Sequence, residues 1–244
     1  MSLNVSLKEL IETGAHFGHQ VRRWNPKMKQ FLYGEKEGVH VFDLPKTKEK
    51  LEEALVAIKK AASEGKNILF LGTKKQAKEM IAETARESKT YYVNERWLGG
   101  TLTNFEMIKK SVKKMKDLEM GLTGNEFKGR TKKEKLLLQR ELERLHRFFG
   151  GLVGIENKPE LLIIIDVKRE RTAVKEANVT NVEVVGVVDS NSDPNGIDYP
   201  IPMNDDASKA LMYVLGLMKE AIEEGRAKKD AGSKKLDVSE KTKK

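Results

Sequence analysis

Two hydrophobic rhythms alternate along most of the chain. Short continuous apolar runs occur at Asn67-Ile-Leu-Phe-Leu-Gly72, Tyr91-Tyr-Val93, Glu160-Leu-Leu-Ile-Ile-Ile-Asp166 and Glu183-Val-Val-Gly-Val-Val-Asp189. Runs of this length without polar alternation predict strands covered on both faces. Between them, apolar positions recur every three or four residues, as on one face of a helix. Asp43-Leu-Pro45 opens such a segment, which carries Leu51, Leu55, Ile58 and Ala62 on one face and runs to about Ser63. Thr73-Lys-Lys-Gln76 has capping-box spacing and predicts a helix to about Ser88. A further helix is expected near Glu170 to Ala177, and a long one from Asn204 or Asp205 to about Glu224. Tyr199-Pro-Ile201 suits an edge strand, because proline cannot donate to a central ladder. This alternation predicts a doubly wound, mostly parallel α/β fold of Rossmann or flavodoxin type, formed by residues 1–102 and 151–225.

Two regions depart from that rhythm. At the start, Ser6-Leu-Lys-Glu9 is spaced as a capping box for a short helix that Gly14 can end. A loop follows, then Phe31-Leu-Tyr-Gly34 and Val39-His-Val-Phe-Asp43 flank a turn, as in a small β-hairpin. In residues 103–150, Phe105, Ile108, Val112 and Met115 repeat at intervals of 3, 4 and 3, and Leu138, Leu142, Leu145 and Phe149 at 4, 3 and 4. These narrow seams are of heptad type, and Thr131-Lys-Lys-Glu134 caps the second. They predict an antiparallel coiled-coil hairpin, bent between Gly121 and Arg130 and projecting from the body. Two helices lying flat on the sheet would instead show wider apolar stripes.

Charge sharpens the picture. The formal net charge is +9, and it is segregated: Gln20–Phe31 holds four cations and no acid, residues 103–150 thirteen cations against seven acids, and residues 226–244 eight against three. The rest of the chain is therefore net acidic. Clustered cations create a field that attracts polyanions, although a basic surface also serves solubility alone. The 226–244 segment, nearly devoid of apolar residues, reads as a basic disordered tail. There is no cysteine, which excludes disulfides, thiolate zinc sites and cysteine nucleophiles. No signal-peptide pattern and no stretch of about 20 apolar residues is present, so a cytoplasmic protein with no membrane partner is expected.

Candidate chemistry is sparse. His16 and His19 sit three apart but are separated by Gly18 and have no third ligand nearby in sequence. Gly72-Thr-Lys-Lys75 follows a strand, yet matches neither a phosphate-binding loop nor a dinucleotide fingerprint. RNA phosphate fits the same geometry without a catalytic demand. Asp189, Asp205 and Asp206 fall at strand and helix ends, where they could share a structural divalent cation, or serve simply as turn and cap residues. Arg22-Arg-Trp-Asn-Pro-Lys27 and Asn94-Glu-Arg-Trp-Leu-Gly-Gly100 each set Arg beside Trp near turn residues. Guanidinium forks bind phosphate at two points, while each Trp serves equally as a packing anchor. The RNA-contact candidates are Arg22, Arg23, Lys27, Lys74, Lys75 and Arg96, with Lys109, Lys110, Lys113, Lys132 and Lys133 on the hairpin.

Ordered motifs from about Val5 to Gly225 carry a family resemblance. They are Gly14-Ala-His-Phe-Gly-His-Gln20, Arg23-Trp-Asn-Pro-Lys-Met28, Phe70-Leu-Gly-Thr-Lys-Lys-Gln-Ala77, Asn94-Glu-Arg-Trp-Leu-Gly-Gly-Thr-Leu-Thr-Asn104, and Asp189-Ser-Asn-Ser-Asp-Pro194 followed by Asp198-Tyr-Pro-Ile-Pro202 and Asn204-Asp-Asp-Ala207. On these the chain resembles the bacterial form of the second protein of the small ribosomal subunit. The resemblance implies an α/β body with a coiled-coil arm, bound to small-subunit ribosomal RNA and neighbouring ribosomal proteins, with no catalysis, no required cofactor and no small-molecule substrate. It also implies contact with the large multidomain ribosomal protein one. The chain departs from the family pattern where Asn181-Val182 replaces a Gly-Ile-Pro start before the fourth strand, and where Ser190 and Met203 replace Thr and Gly. An α/β enzyme using Asp166, Asp189, Asp205 and Asp206 and a free-standing RNA-binding module are the rival readings.

Overall fold

The computed structural model describes residues 5–124, 127 and 129–241, with the side chains of 230–241 excepted. Five strands form one wholly parallel sheet: β4 (Ile68–Leu71), β5 (Tyr91–Val93), β6 (Leu161–Ile164), β7 (Glu183–Val188) and β8 (Tyr199–Pro202). Their spatial order is β5-β4-β6-β7-β8, in register from Leu69 opposite Tyr91 to Val188 opposite Pro202. Counted within this sheet, the order is 2-1-3-4-5, the flavodoxin-like form of a doubly wound fold. The proline-bearing strand lies at the edge, where its missing donors cost no ladder bond.

The pleat sends alternate side chains to opposite faces and so divides the core in two. Ile68, Phe70, Leu161, Ile163, Val185 and Val187 face one layer, completed by α2 (Leu44–Glu64), α3 (Lys78–Glu87) and α7 (Ser208–Lys241). Leu69, Leu71, Leu162, Ile164, Val184 and Val188 face the other. That second layer is built from α6 (Arg171–Val179), the bases of α4 (Phe105–Thr123) and α5 (Lys132–Phe149), and Met28, Phe31, Phe42 and Trp97. Helices α4 and α5 also contact each other. Ile108, Val112, Met115, Leu145 and Phe149 are buried, Phe105, Leu138 and Leu142 partly so, and Thr131 and Glu134 close their capping box.

Several local expectations are corrected. The Phe17–Gln20 segment, read as loop, is strand β1, paired antiparallel with β3 (Val39–Phe42), which also pairs with β2 (Leu32–Lys36). Four residues interrupted by Gly18 show no alternation, and tertiary pairing supplies what local pattern lacks. At the N-terminus α1 (Leu7–Glu12) has half of its predicted capping box: Ser6 Oγ accepts from Glu9 N at 3.4 Å, but Ser6 N donates to Tyr213 Oη at 3.0 Å. Thr73 does not cap α3, which begins at Lys78, because its hydroxyl is engaged by Glu170 and Arg169. Asn181 adopts φ +53°, the left-handed conformation that asparagine tolerates best after glycine, which accounts for its replacing glycine there. Met203 is fully buried and has no positive φ, so the chain enters the last helix without a glycine turn. Finally, the last helix does not stop near Glu224 but runs to Lys241, through a stretch free of proline and rich in lysine, a good helix former, while residues 242–244 of the expected tail lie outside the described residues.

Candidate nucleic-acid interface

The first basic loop stands on a rigid base. Gly18 lies so close to β7's exit that a Cβ there would meet Ser190 Oγ at 2.8 Å, so β1 packs against residue 190 with no side chain between. His19 N then donates to Ser190 Oγ at 2.7 Å, and Asn25 N to Ser190 O at 2.8 Å. Pro26 fixes the start of a 3-10 turn, Pro26–Phe31, whose Met28 and Phe31 are buried, and Asn25 Oδ1 caps Lys27 N at 3.0 Å. The anchored loop leaves Arg22, Arg23, Lys27 and Lys29 exposed. Arg22 Nε donates to Gln20 Oε1, and Lys27 meets Asp193 at 2.7 Å. Trp24 is half-buried with its ring 4.9 Å from that of His40, a packing contact.

The second loop is tied to one carboxylate. Glu176 on α6 accepts at Oε1 from Trp97 Nε1 (3.1 Å) and Gly100 N (2.9 Å), and at Oε2 from Leu102 N (3.0 Å), Thr103 N and Thr103 Oγ1 (both 3.2 Å). Burial works to raise its pKa, but the donors of Leu102, Gly100, Trp97 and Thr103 outweigh it and hold the carboxyl below its ordinary value. Trp97 is thus an anchor, Arg96 beside it stays exposed, and the entry to α4 is fixed.

From there α4 presents cations outward. Lys110 and Lys113 are exposed and Lys109 half-exposed, lining with Lys116 a groove of about 390 Å³ between α4 and residues 154–156. Lys109 is partnered by Glu106 at 3.4 Å, and the exposed pair Lys132 and Lys133 opens α5.

Lys74 departs from expectation. Its Nζ turns inward, 2.6 Å from Asp205 and 4.0 Å from Asp166, and also pairs with Asp206; only its neighbour Lys75 is exposed to a partner. Burial opposes the charge on Lys74, but its bonds to Asp205 and Asp206 raise its pKa. Asp189, Asp205 and Asp206, the expected cation ligands, do converge, and His19 joins them: Nδ1 lies 2.9 Å from Asp189 and Nε2 3.5 Å from Asp206. Hydrogen bonding to Asp189 raises the His19 pKa. Burial, together with the charges of Asp189 and Asp166, pushes Asp205 up to about 7 despite Lys74. The lysine these acids face is Lys74, and among the described residues no group of three or more His, Asp or Glu is disposed to hold a metal ion.

Lys74 and Asp166 of this cluster follow β4 and β6, between which lies the switch point where a fold of this type holds its ligands. Thr73 Oγ1, just past β4, donates to Glu170 Oε1 at 2.5 Å and accepts from Arg169 Nε at 2.8 Å.

A family model described as Ribosomal protein S2 matches residues 10–225. The chain belongs to the ribosomal protein S2 family. Membership makes it a structural component of the small ribosomal subunit in the cytoplasm, in the company of ribosomal RNA and other ribosomal proteins. Among the described residues no helix is long and apolar enough to cross a membrane.

Against that identity, the structure gathers most of the sequence candidates on exposed surface and removes Lys74. It adds residues that sequence reasoning missed. Lys168, Arg171 and Lys175 are exposed beside the first loop, with no ion pair among the described residues. Their signal was the run Val-Lys-Arg-Glu-Arg after the third apolar strand, masked by its two neighbouring acids. Glu176 gave no signal at all, since one acid on a short helix has no local pattern. His16, by contrast, packs: its ring lies 4.0 Å from Phe17, and burial, with the charge of Lys36, lowers its pKa.

Proposed function

We infer that this S2 family member is held in the small subunit by phosphate contacts from its two anchored loops and from the lysine face of the α4–α5 arm. The observation that carries this reading is the set of exposed cations without acid partners among the described residues: Arg22, Arg23, Lys75, Arg96, Lys110, Lys113, Lys132 and Lys133. Unpaired cations on rigid supports bind phosphate with little ordering cost, and such contacts fix position rather than read sequence. Burial in α4 and α5 is concentrated toward the body, at Ile108, Val112, Met115, Leu145 and Phe149, while Met120, Leu136 and Leu137 are exposed. That gradient supports a coiled-coil arm reaching away from the sheet. The reading assigns no catalysis and no cofactor, and the acids that would hold a structural cation are instead engaged by Lys74 and hydrogen-bonded to His19. Contact with the large multidomain ribosomal protein one is proposed on the family resemblance alone.

Sedimentation of a lysate tests the reading. Co-migration with small subunits after a moderate salt wash is expected. Recovery only at the top of the gradient would instead favour an RNA-binding module that works off the ribosome.

A further inference from the structure

A second cleft, of about 390 Å³, opens between α6 and the loops around residues 25 and 191–195. That volume accommodates one nucleotide. Its floor is apolar, made by Val167 and Val174, which are 4% and 7% exposed, so a flat base can lie against it. On one wall Arg171, Lys175 and Asn178 follow at intervals of four and three along α6 and therefore share a face, with Lys168 above them. None of the three cations has an ion pair among the described residues. The opposite wall carries Asn25, Asn191 and Asn195. The single acid there, Asp193, is neutralised by Lys27 at 2.7 Å, so the lip does not repel an anion.

The amides are not idle surface groups. Asn178 Nδ2 lies over Gly196, where a Cβ would come within 2.4 Å of it, so the glycine keeps room for this side chain. Asn191 Oδ1 accepts from Ser192 Oγ at 3.1 Å, and Asn25 Oδ1 from Lys27 N, which leaves their NH2 groups for other partners. Paired donor and acceptor edges of this kind match the edges of an unpaired base, whereas phosphate asks only for cations. Asn25 belongs to the same loop as Arg22 and Arg23, two residues after the second of these exposed arginines.

We propose that this cleft receives one unpaired nucleotide of RNA, its base on the Val167–Val174 floor against the asparagine amides and its flanking phosphates on Lys168, Arg171 and Lys175. The proposal rests on the RNA-binding reading above and adds to it a base contact in a surface that otherwise grips only backbone.

The test uses the full chain and fluorescently labelled single-stranded hexaribonucleotides of each base, with an RNA duplex and free nucleoside monophosphates as comparisons. Single strands are expected to bind in preference to the duplex and to the monophosphates. The variant carrying Lys168→Gln, Arg171→Gln and Lys175→Gln should weaken single-strand binding at least tenfold. Asn178→Ala should change the ranking of the four bases while leaving the salt dependence unaltered. All four positions are exposed, and a thermal melt confirms that the variants fold. Equal binding by wild type and the triple variant, or an unchanged base ranking, would overturn the proposal. So would monophosphates binding as tightly as hexamers, which would assign the cleft to a free ligand. Co-sedimentation of the wild type with small subunits separates the two levels: incorporation without base discrimination sinks only the cleft, and failure to incorporate sinks the ribosomal reading beneath it.

Discussion

Replacing Glu176 should do more damage than any other surface-proximal acid, because five donors converge on it. In Glu176→Ala, Trp97 Nε1 and Leu102 N, on residues only 7% and 3% exposed, are deprived of their acceptor without gaining water. A buried donor left unsatisfied costs about 1–3 kcal/mol, more when its former acceptor was charged. Since neighbouring effects do not add fully, the two together predict a destabilisation of about 3–5 kcal/mol. For a chain of this length each kcal/mol lowers Tm by about 2–4 °C, so a drop on the order of 10 °C is expected by calorimetry near neutral pH. Glu176→Gln retains one oxygen but turns an NH2 toward facing donors, and should fall between the two. The pH sign is also fixed: the folded carboxyl titrates below its ordinary value of 4.5, so its stabilisation is complete above that value and is lost as pH falls through the lower folded value. An Ala variant melting within about 2 °C of wild type would refute the claim that this carboxylate organises the loop.

Other expectations follow from the same structure. His19 and Asp205 both titrate above their ordinary values of 6.5 and 3.8, so both favour the folded state at lower pH and lose that contribution as pH rises, Asp205 between about 4 and 7. Asp205→Asn should therefore lose less stability than wild type between about pH 4 and pH 7, measured by denaturant unfolding at each pH; an identical loss would contradict the shift. Met115→Ala, at a fully buried seam position, should cost about 2–5 kcal/mol, whereas Leu136→Ala, half exposed farther along the arm, should cost well under 1 kcal/mol; similar costs would mean the seam is misassigned. Ser190→Ala removes the acceptor of His19 N and should speed hydrogen exchange at residues 19–25 without changing exchange in β4 or β6; unaltered exchange would show that Ser190 does not anchor the loop.

The elements that carry their own periodicity are legible in the sequence. The strands buried on both faces, such as Leu161–Ile164, announce themselves by continuous apolar residues, and helices α4 and α5 by the spacing of theirs. Strand β1 is not legible, because Phe-Gly-His-Gln pairs through contacts with β3 and Ser190 that lie far away in sequence. Lys74 shows the corresponding limit for function. A lysine after a strand, in a Gly-Thr-Lys-Lys setting, has the local form of a phosphate ligand, and only the tertiary approach of Asp205 and Asp206 turns it into a counter-ion. His19 escapes sequence reading for the same reason: its neighbour in sequence is His16, while its partners Asp189 and Asp206 arrive from the other end of the chain. Exposed arginines such as Arg22 and Arg96 are readable, since uncompensated charge in a Gly/Pro/Asn loop already implies surface.

The phosphate account stands on unpaired cations, and the salt dependence of binding to small-subunit ribosomal RNA measures them directly. For the wild-type chain, the logarithm of the binding constant should fall linearly with the logarithm of salt concentration, with a slope of several units. Replacing Arg22, Arg23 and Arg96 by Gln should make that slope shallower by about one unit for each phosphate left unneutralised, about three in all. A slope near zero for the wild type, or one that the triple substitution leaves unchanged, would contradict the claim that these anchored loops hold the protein to RNA.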